Sequence, residues 1–559
     1  MKETLRQLIL DAARAAFENK EFISFDLPAF TVEEPKVDAH GDLSTNFAMV
    51  SAKALRMAPR KIAETLLRYI GDNHPLIEKT EIAGPGFINF FIRLAAWYPV
   101  LTEIHAKDTA YGCSKIGNGC RVQVEFVSAN PTGPLHVGHG RGAIVGDSAA
   151  ALLSACGYEV HREYYINDAG RQIQTLGLSV LLRCRELAGQ PIEFLEECYQ
   201  GDYIKDIAGD LRREKEDWIF TLPEAEAIAF CSRFAADRMI IEIRNVLNSL
   251  GIEFDNWYSE QAMVDSGKVE SAILKFKNQK VIYEKDGALW FNTSDFGDEK
   301  DRVVVRNNGQ ATYFASDIAY HQDKLDRGFD RIIDVWGADH HGYIPRIRAA
   351  IEASGKDKSQ FTVILTQLVN LLRQGVPVSM GKRSGQFITL KEVIDEVGRD
   401  AVRFIFLTRN YDSPLDFDLE VAKQKTNDNP VYYVQYVHAR ISSILRKAKE
   451  ENALMVMDAS DPALANILQM IREPEEIQLI KHLARYPETI RQAAELMEPH
   501  RVAFFLMELA GDFHAYYNKH RVLAEDPALT AGRLYLIFAV QKVIRNGLTL
   551  LGVSAPDSM

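Results

Sequence analysis

The 559-residue chain has few cysteines, no long apolar run and no surplus of positive charge. Its six cysteines stand at 113, 120, 156, 184, 198 and 231, with no CxxC pair and no Cys/His cluster of zinc-ligand spacing. That excludes a disulfide scaffold, argues against protein-bound zinc, and predicts reduced thiols in a cytoplasmic protein. With no stretch of about 18 apolar residues, no membrane-spanning helix and no membrane partner are expected. The N-terminal MKETLRQLILDAARAAF is amphipathic and carries Glu3 and Asp11, unlike the apolar core of a secretory signal. Lysine and arginine number 65 against 77 aspartate and glutamate, a net charge of −12. A chain of that sign does not coat nucleic acid indiscriminately, so any such partner must be held by local patches and by shape. No internal repeat of solenoid length is present.

What is present divides into three. Residues 1–112 open with Leu5, Leu8, Ile9, Ala12 and Ala16 on one helical face, then reach a Gly/Pro turn and an alternating apolar stretch at 81–93, which predicts a small α/β domain. The turn-rich 111–119 marks a linker. Residues 113–425 begin with a strand signal at 121–128, a Gly/Pro loop at 129–140 and a small, apolar helix at 141–156. Strand, loop and helix in that order open a Rossmann-like parallel sheet. A charged helical insertion is expected at about 165–290, followed by strands at 302–306, 331–335 and 362–365 that form a second βαβ half. Residues 426–559 are helical in period throughout and predict a bundle. In 431–559, 14 Lys and Arg face 15 Asp and Glu, so this third is far less acidic than the whole. The fold class is therefore α/β: a Rossmann-like parallel-sheet catalytic domain with a helical insertion, a small N-terminal α/β domain and a C-terminal helical bundle.

Two motifs point to nucleotide chemistry. His136-Val137-Gly138-His139 falls at the strand-to-helix turn, where free N–H groups and the positive end of the helix dipole favour phosphate. Two imidazoles around a glycine suit charge developing on a phosphoryl group. Ser379-Met380-Gly381-Lys382-Arg383-Ser384-Gly385 is a Gly-punctuated basic loop able to clamp a triphosphate. Together they resemble the HIGH and KMSKS signatures of the class I aminoacyl-tRNA synthetases. EFVSANPTGPLHVGHGR from Glu125, GADHHGYIPR from Gly337, SPLDFDLE from Ser413, YVQYVHARI from Tyr433 and the C-terminal GLTLLGVSAPDSM resemble the arginyl branch. HGDLSTNFAM from His40 and GPGFINFFI from Gly84 resemble its N-terminal module, so the likeness spans the chain. One departure is Ser379 in place of the first lysine of KMSKS.

The resemblance implies ATP-dependent activation of L-arginine and its transfer to tRNA(Arg) by a monomer, with ATP entering as its Mg2+ complex and no editing step. It assigns His136, His139 and Lys382 to catalysis, and Gly138, Asp339, Met380 and Lys382 to ATP. Glu125, Tyr313 and Asp317 would surround the substrate guanidinium, and Asn130 and His341 would meet its amino-acid head group. Read from the residues alone, Glu125 better suits a structural ion pair, Tyr313 a core position and Asp317 a helix cap. The spacing of Tyr313 and Asp317 places both on one face of a helix. The N-terminal module would touch tRNA through Phe87 and Asn89, and the bundle would touch anticodon bases through Tyr432, Tyr436, His438 and Arg440.

Overall fold

Apolar runs bounded by turns become the strands of one parallel sheet. β1 (Arg121–Glu125), β2 (Glu159–Ile166), β3 (Asn256–Ser259), β4 (Arg331–Gly337) and β5 (Phe361–Thr366) lie in the order β5-β4-β1-β2-β3, and every neighbouring pair is parallel. Strands of such a sheet are covered on both faces; Val122, Val124, Ile332, Ile333 and Ile364 are accordingly buried. The order reverses between β1 and β4, and the crevice at the carboxyl ends beside such a reversal is where open α/β sheets bind ligands.

The structure, a computed structural model, describes residues 1–23, 26–71, 73–378, 388–453 and 461–559. Residues 112–440, 487–510 and 544–559 form one compact unit, and residues 1–111, 441–486 and 511–543 form another. In the unit holding the N-terminus, four antiparallel strands run in the order Val32–Glu33, Leu43–Thr45, Phe87–Ile92, Ile77–Ala83. The Gly84–Gly86 turn closes the hairpin of the last two. The helix Lys2–Glu18 buries Leu5, Ile9, Ala12 and Ala16, the face its period marks. Within the same unit the Tyr98 hydroxyl donates to the Ile471 carbonyl (2.8 Å) and the Tyr111 hydroxyl to that of Leu483 (3.0 Å).

The sheet-bearing unit departs from the sequence expectation in two places. The stretch 165–290 is not an uninterrupted helical insertion, because β3 returns from it to extend the sheet. The three helices Arg171–Leu187, Asp202–Lys215 and Glu224–Ser249 share their own apolar core of Leu176, Leu181, Ile204, Leu211 and Met239. The stretch 302–306 does not join the parallel sheet. Arg302–Val305 pairs antiparallel with Ala288–Phe291 in a separate three-stranded sheet. A short β-branched run specifies a strand but not its partner.

The helix Val137–Ala155 packs closely behind β1. A side chain at Gly146 would meet the Phe126 ring at 2.5 Å, and one at Gly140 would meet Leu390 at 2.6 Å. Glycine at 146 lets the helix lie against the Phe126 ring just after β1, and glycine at 140 makes room for Leu390.

Candidate active site

The loop from β1 to that helix shapes the first half of the site. Val127 (φ 71°) and Ser128 (φ 40°) both lie in the left-handed region, and the Ser128 N–H donates to the Phe126 carbonyl at 3.0 Å. This is a γ-turn of the strained hand with a β-branched residue at its centre, a kind of strain that clusters at functional sites. Further on, the Tyr164 hydroxyl donates to the Ala129 carbonyl (2.9 Å) and the Tyr203 hydroxyl to the Thr132 carbonyl (2.7 Å). Tyr203 belongs to the helical insertion, which therefore braces the loop.

At the helix start the two histidines serve as its cap. The Gly138 N–H donates to His136 Nδ1 (3.1 Å), the His136 N–H donates to His139 Nδ1 (3.3 Å), and the rings stack with centroids 3.7 Å apart. A neutral imidazole that accepts at Nδ1 carries its proton on Nε2. Each ring thus has an Nε2–H donor suited to a phosphate oxygen at a helix N-terminus. A methyl group at Gly138 would lie 3.0 Å from the His136 ring, so glycine also protects the ring's placement. Thr389, which caps the helix Leu390–Val397, forms a bridge with His136, and the Leu390 N–H donates to the Leu135 carbonyl at 2.7 Å. Met380 and Lys382, in the basic loop that precedes Thr389, lie outside the described residues.

The second half of the site is acidic. Asp334 on β4, Glu125 on β1 and Glu163 on β2 are registered neighbours, so all three carboxylates project to one face of the sheet. They are at most 7% exposed. Groups on and just after the helix Tyr313–Asp326 answer them. Lys324 Nζ donates to Glu125 Oε2 (2.5 Å) and to Asp334 Oδ1 (2.8 Å). Arg327 grips Glu163 with two bonds (2.5 and 2.8 Å), and the Tyr320 hydroxyl adds a third at 2.7 Å. His321 Nε2 lies 3.1 Å from Asp334 Oδ2. Two cations thus serve three buried anions. Burial alone would raise all three carboxyl groups; Arg327 overrides it and holds Glu163 low, and Lys324 does the same for Asp334. Glu125 is left above the usual carboxylate range, because burial outweighs its share of Lys324.

Two more carboxylates adjoin this row. Asp317 accepts a 2.7 Å bond from the Tyr343 hydroxyl, yet burial pushes its carboxyl up. Glu260, 6% exposed at the start of the helix Glu260–Asp265, is pushed up by burial, with Asp317 adding to the effect. The Tyr165 hydroxyl is pushed up by burial first and then by the negative charges of Glu260, Asp317 and Glu125. The arrangement is a group of carboxylates that outnumber the cations answering them, beside the carboxyl end of β1.

The sequence-derived candidates divide accordingly. Glu125 is the ion-pair partner of Lys324, as a structural reading of that residue expects, and Asp317 lies on the helix that carries Lys324. Tyr313 sits one turn before Asp317 on the same helix face but is 60% exposed, so it is not a core residue. Asn130 Nδ2 donates to Gln172 (2.7 Å). Asp339 and His341 are exposed just beyond β4, with His341 Nδ1 3.1 Å from the Ala338 carbonyl. In the other unit Phe87 is exposed, but Asn89 is 4% exposed between two partner strands and cannot present its side chain to a macromolecule. Tyr432 and Tyr436 stack with centroids 5.9 Å apart, and the Arg440 guanidinium lies 5.5 Å over the Tyr436 ring. His438 is buried against the Pro556 carbonyl (3.0 Å), which removes it from any stacking surface. Glu260, Lys324, Asp334 and Tyr165 were not singled out from the sequence. The available signal was one lone acid within each apolar strand and the continuation of the Tyr313/Asp317 stripe to His321 and Lys324 at helical spacing.

Against known proteins, the model described as tRNA synthetases class I (R), catalytic domain, matches residues 100–441, more than half of the chain. The chain belongs to the arginyl-tRNA synthetase family. The model described as Arginyl tRNA synthetase N terminal domain matches residues 3–92, and the DALR anticodon binding domain matches 434–559. Full-length relatives carry the name arginine–tRNA ligase: one from Desulfosudis oleivorans is 60% identical and one from Citrifermentans bemidjiense 54%, each alignment covering 100% of both chains. The Thermus thermophilus arginyl-tRNA synthetase structure is 24% identical, covers 100% of both chains and superposes with a TM-score of 0.76, a likeness of fold.

Proposed function

We propose that the chain activates L-arginine with ATP and transfers it to the 3′ end of tRNA(Arg), with the arginine side chain at the buried carboxylates and the triphosphate at the His136–His139 turn. The observation that carries this reading is the buried row of Glu125, Glu163 and Asp334, three carboxylates side by side answered by two cations, Lys324 and Arg327. A buried surplus of carboxylate calls for a cationic ligand, and a planar guanidinium with five donors can serve several carboxylates at once. A lysine ammonium is a point charge and leaves part of the set unpaired. Sites that bury polar groups for one ligand reject its analogues by roughly 10⁴-fold or more, so no editing step is required.

ATP enters as its Mg2+ complex; among the described residues no three His, Cys, Asp or Glu side chains gather into a metal site. An arginine carboxylate oxygen attacks the α-phosphorus in line, the bond to the β-phosphate oxygen breaks, and pyrophosphate leaves. The Nε2–H groups of His136 and His139 and the Lys382 ammonium take up the charge that develops on the departing phosphates. Gly138 leaves room for the nucleotide, and Met380 and Asp339 contact the adenosine part. Asn130 and His341 orient the amino-acid head group. The terminal ribose hydroxyl of the tRNA then attacks the adenylate carbonyl and expels AMP. Orientation does most of the work, and no protein nucleophile is used.

Phe87 meets the tRNA from the N-terminal domain (residues 1–112). The Tyr432–Tyr436–Arg440 stack meets anticodon bases from the C-terminal domain (426–559). Asn89 is omitted from that surface on account of its burial. Among the described residues no helix is long and apolar enough to cross a membrane. The protein works as a cytoplasmic monomer. Aminoacylation of purified tRNA(Arg) with each standard amino acid in turn is expected to yield product with arginine alone; charging with another amino acid, or with none, contradicts the reading.

A further inference from the structure

Lys324 is 0% exposed in the middle of the site, and the reaction outlined above gives it no role. A buried lysine is costly unless charge and hydrogen bonds compensate it. Here Glu125 and Asp334 supply both, the Tyr320 ring lies 4.3 Å from the ammonium, and Glu163 adds a longer-range attraction. The position is specific. On the helix Tyr313–Asp326, residues 313, 317, 321 and 324 follow one stripe, so the backbone that presents Tyr313 and Asp317 also delivers Lys324 to the far oxygen of Glu125. The near oxygen of Glu125 accepts from the Ser128 hydroxyl at 2.8 Å, and Ser128 is held there by the strained turn. The carboxylate is pinned from two sides before any substrate arrives.

We propose that Lys324 is a positioning residue for arginine recognition, its buried ammonium holding Glu125 as an oriented anion for the incoming guanidinium. The inference rests on the assignment of Glu125 to the arginine pocket. Lys324 touches no substrate. It acts through Glu125, which would otherwise be held protonated by its burial and by Asp334 beside it. His321, which sits against Asp334, and Arg327, which is committed to Glu163, are in no position to substitute for it. A protonated Glu125 offers the guanidinium a neutral acceptor with the wrong geometry, and arginine binding weakens.

The test is equilibrium arginine binding to the full-length enzyme by calorimetry, from about pH 6.5 to 9, for wild type, Lys324→Met, Lys324→Arg and Asp317→Asn. Without the ammonium, Glu125 titrates at higher pH, and arginine affinity falls about tenfold for each unit by which its pKa exceeds the working pH. Lys324→Met is therefore expected to bind arginine at least about tenfold more weakly at neutral pH and to recover more steeply than wild type as pH rises. The KM for ATP is expected to stay within about twofold of wild type, since the nucleotide half of the site is built from other elements. Lys324→Arg keeps the charge and safeguards the fold. It is expected to keep the pH profile of wild type with weakened binding, because the longer fork displaces Glu125. Wild-type arginine affinity in Lys324→Met, or a pH-independent loss shared equally by arginine and ATP in Lys324→Met, overturns the proposal. If Asp317→Asn also binds arginine normally, the pocket assignment itself fails; if only the Lys324 variants do, the pocket stands and this inference alone falls.

Discussion

Replacing Asp317 with asparagine is expected to lower kcat/KM for arginine by roughly 10²- to 10⁴-fold, the scale of removing one partner from a buried charge pair at about 3–5 kcal/mol. The substitution keeps the size of the side chain and an oxygen that accepts from Tyr343, so packing is preserved. What is lost is a negative charge facing a desolvated guanidinium. The effect on stability runs in the opposite direction. Burial holds the Asp317 carboxyl above its unfolded value. Such a group stabilises the fold while protonated, and that contribution disappears as pH rises through the folded pKa. Above that pKa the ionised Asp317 is a liability in the ligand-free enzyme, and Asp317→Asn is expected to melt at the same or a higher temperature than wild type while hardly using arginine. Stored destabilisation of this sort is the usual mark of a binding site rather than of a structural ion pair. Steady-state kinetics and thermal melts at pH 6 and 8 measure both halves. A variant with lowered Tm and near-normal arginine KM would reassign Asp317 to structure.

Substitution at the paired histidines is expected to produce the second-largest loss. Removing one preorganised donor aimed at developing charge costs about 10²–10³-fold in kcat. His139→Ala is expected to fall in that range, with arginine KM changed less than about threefold, because the imidazole acts on phosphate rather than on the amino acid. The difficulty is that His136 and His139 also cap the helix Val137–Ala155. An alanine at a cap costs about 0.5–2 kcal/mol of stability, which would blur the result at 136. His136→Asn separates the two roles, since asparagine is among the best capping residues yet cannot place a donor where Nε2–H stood. Its Tm should match wild type while pyrophosphate exchange collapses. If His136→Asn keeps more than about a tenth of wild-type kcat, the stacked pair is a cap and little else.

Much of this site was readable before any coordinates. The HxGH string at a strand-to-helix turn, the Tyr313/Asp317 spacing and the loop 129–140 each carry a local physical signal, and the structure places them at the carboxyl end of a parallel sheet. Period told strand from helix at β1, β4, β5 and along the C-terminal helices. What period does not encode is partnership across the chain. Arg302–Val305 is β-branched enough to be a strand anywhere, and it pairs with Ala288–Phe291 because those residues are adjacent in the chain. β3 was hidden in a stretch whose composition is mostly helical. Asn89 alternates with apolar neighbours, but which face of a short strand is covered depends on the sheet beside it.

The acidic row was hidden for the same reason. Glu125, Glu163 and Asp334 are spread over more than 200 residues, and only the registers of β4 with β1 and of β1 with β2 bring them side by side. Once that row exists, Lys324 and Arg327 become necessary rather than incidental, and the shortage of positive charge becomes visible.

The most direct check is to compare arginine with citrulline, which replaces the charged guanidinium by a neutral urea of nearly the same shape. Calorimetric binding to the wild-type enzyme at neutral pH should show arginine binding at least about 10³-fold more tightly, the penalty expected for leaving desolvated carboxylates without their cation. Citrulline binding within tenfold of arginine would mean that the buried carboxylates around Glu125 and Asp317 are not where the side chain of the substrate goes.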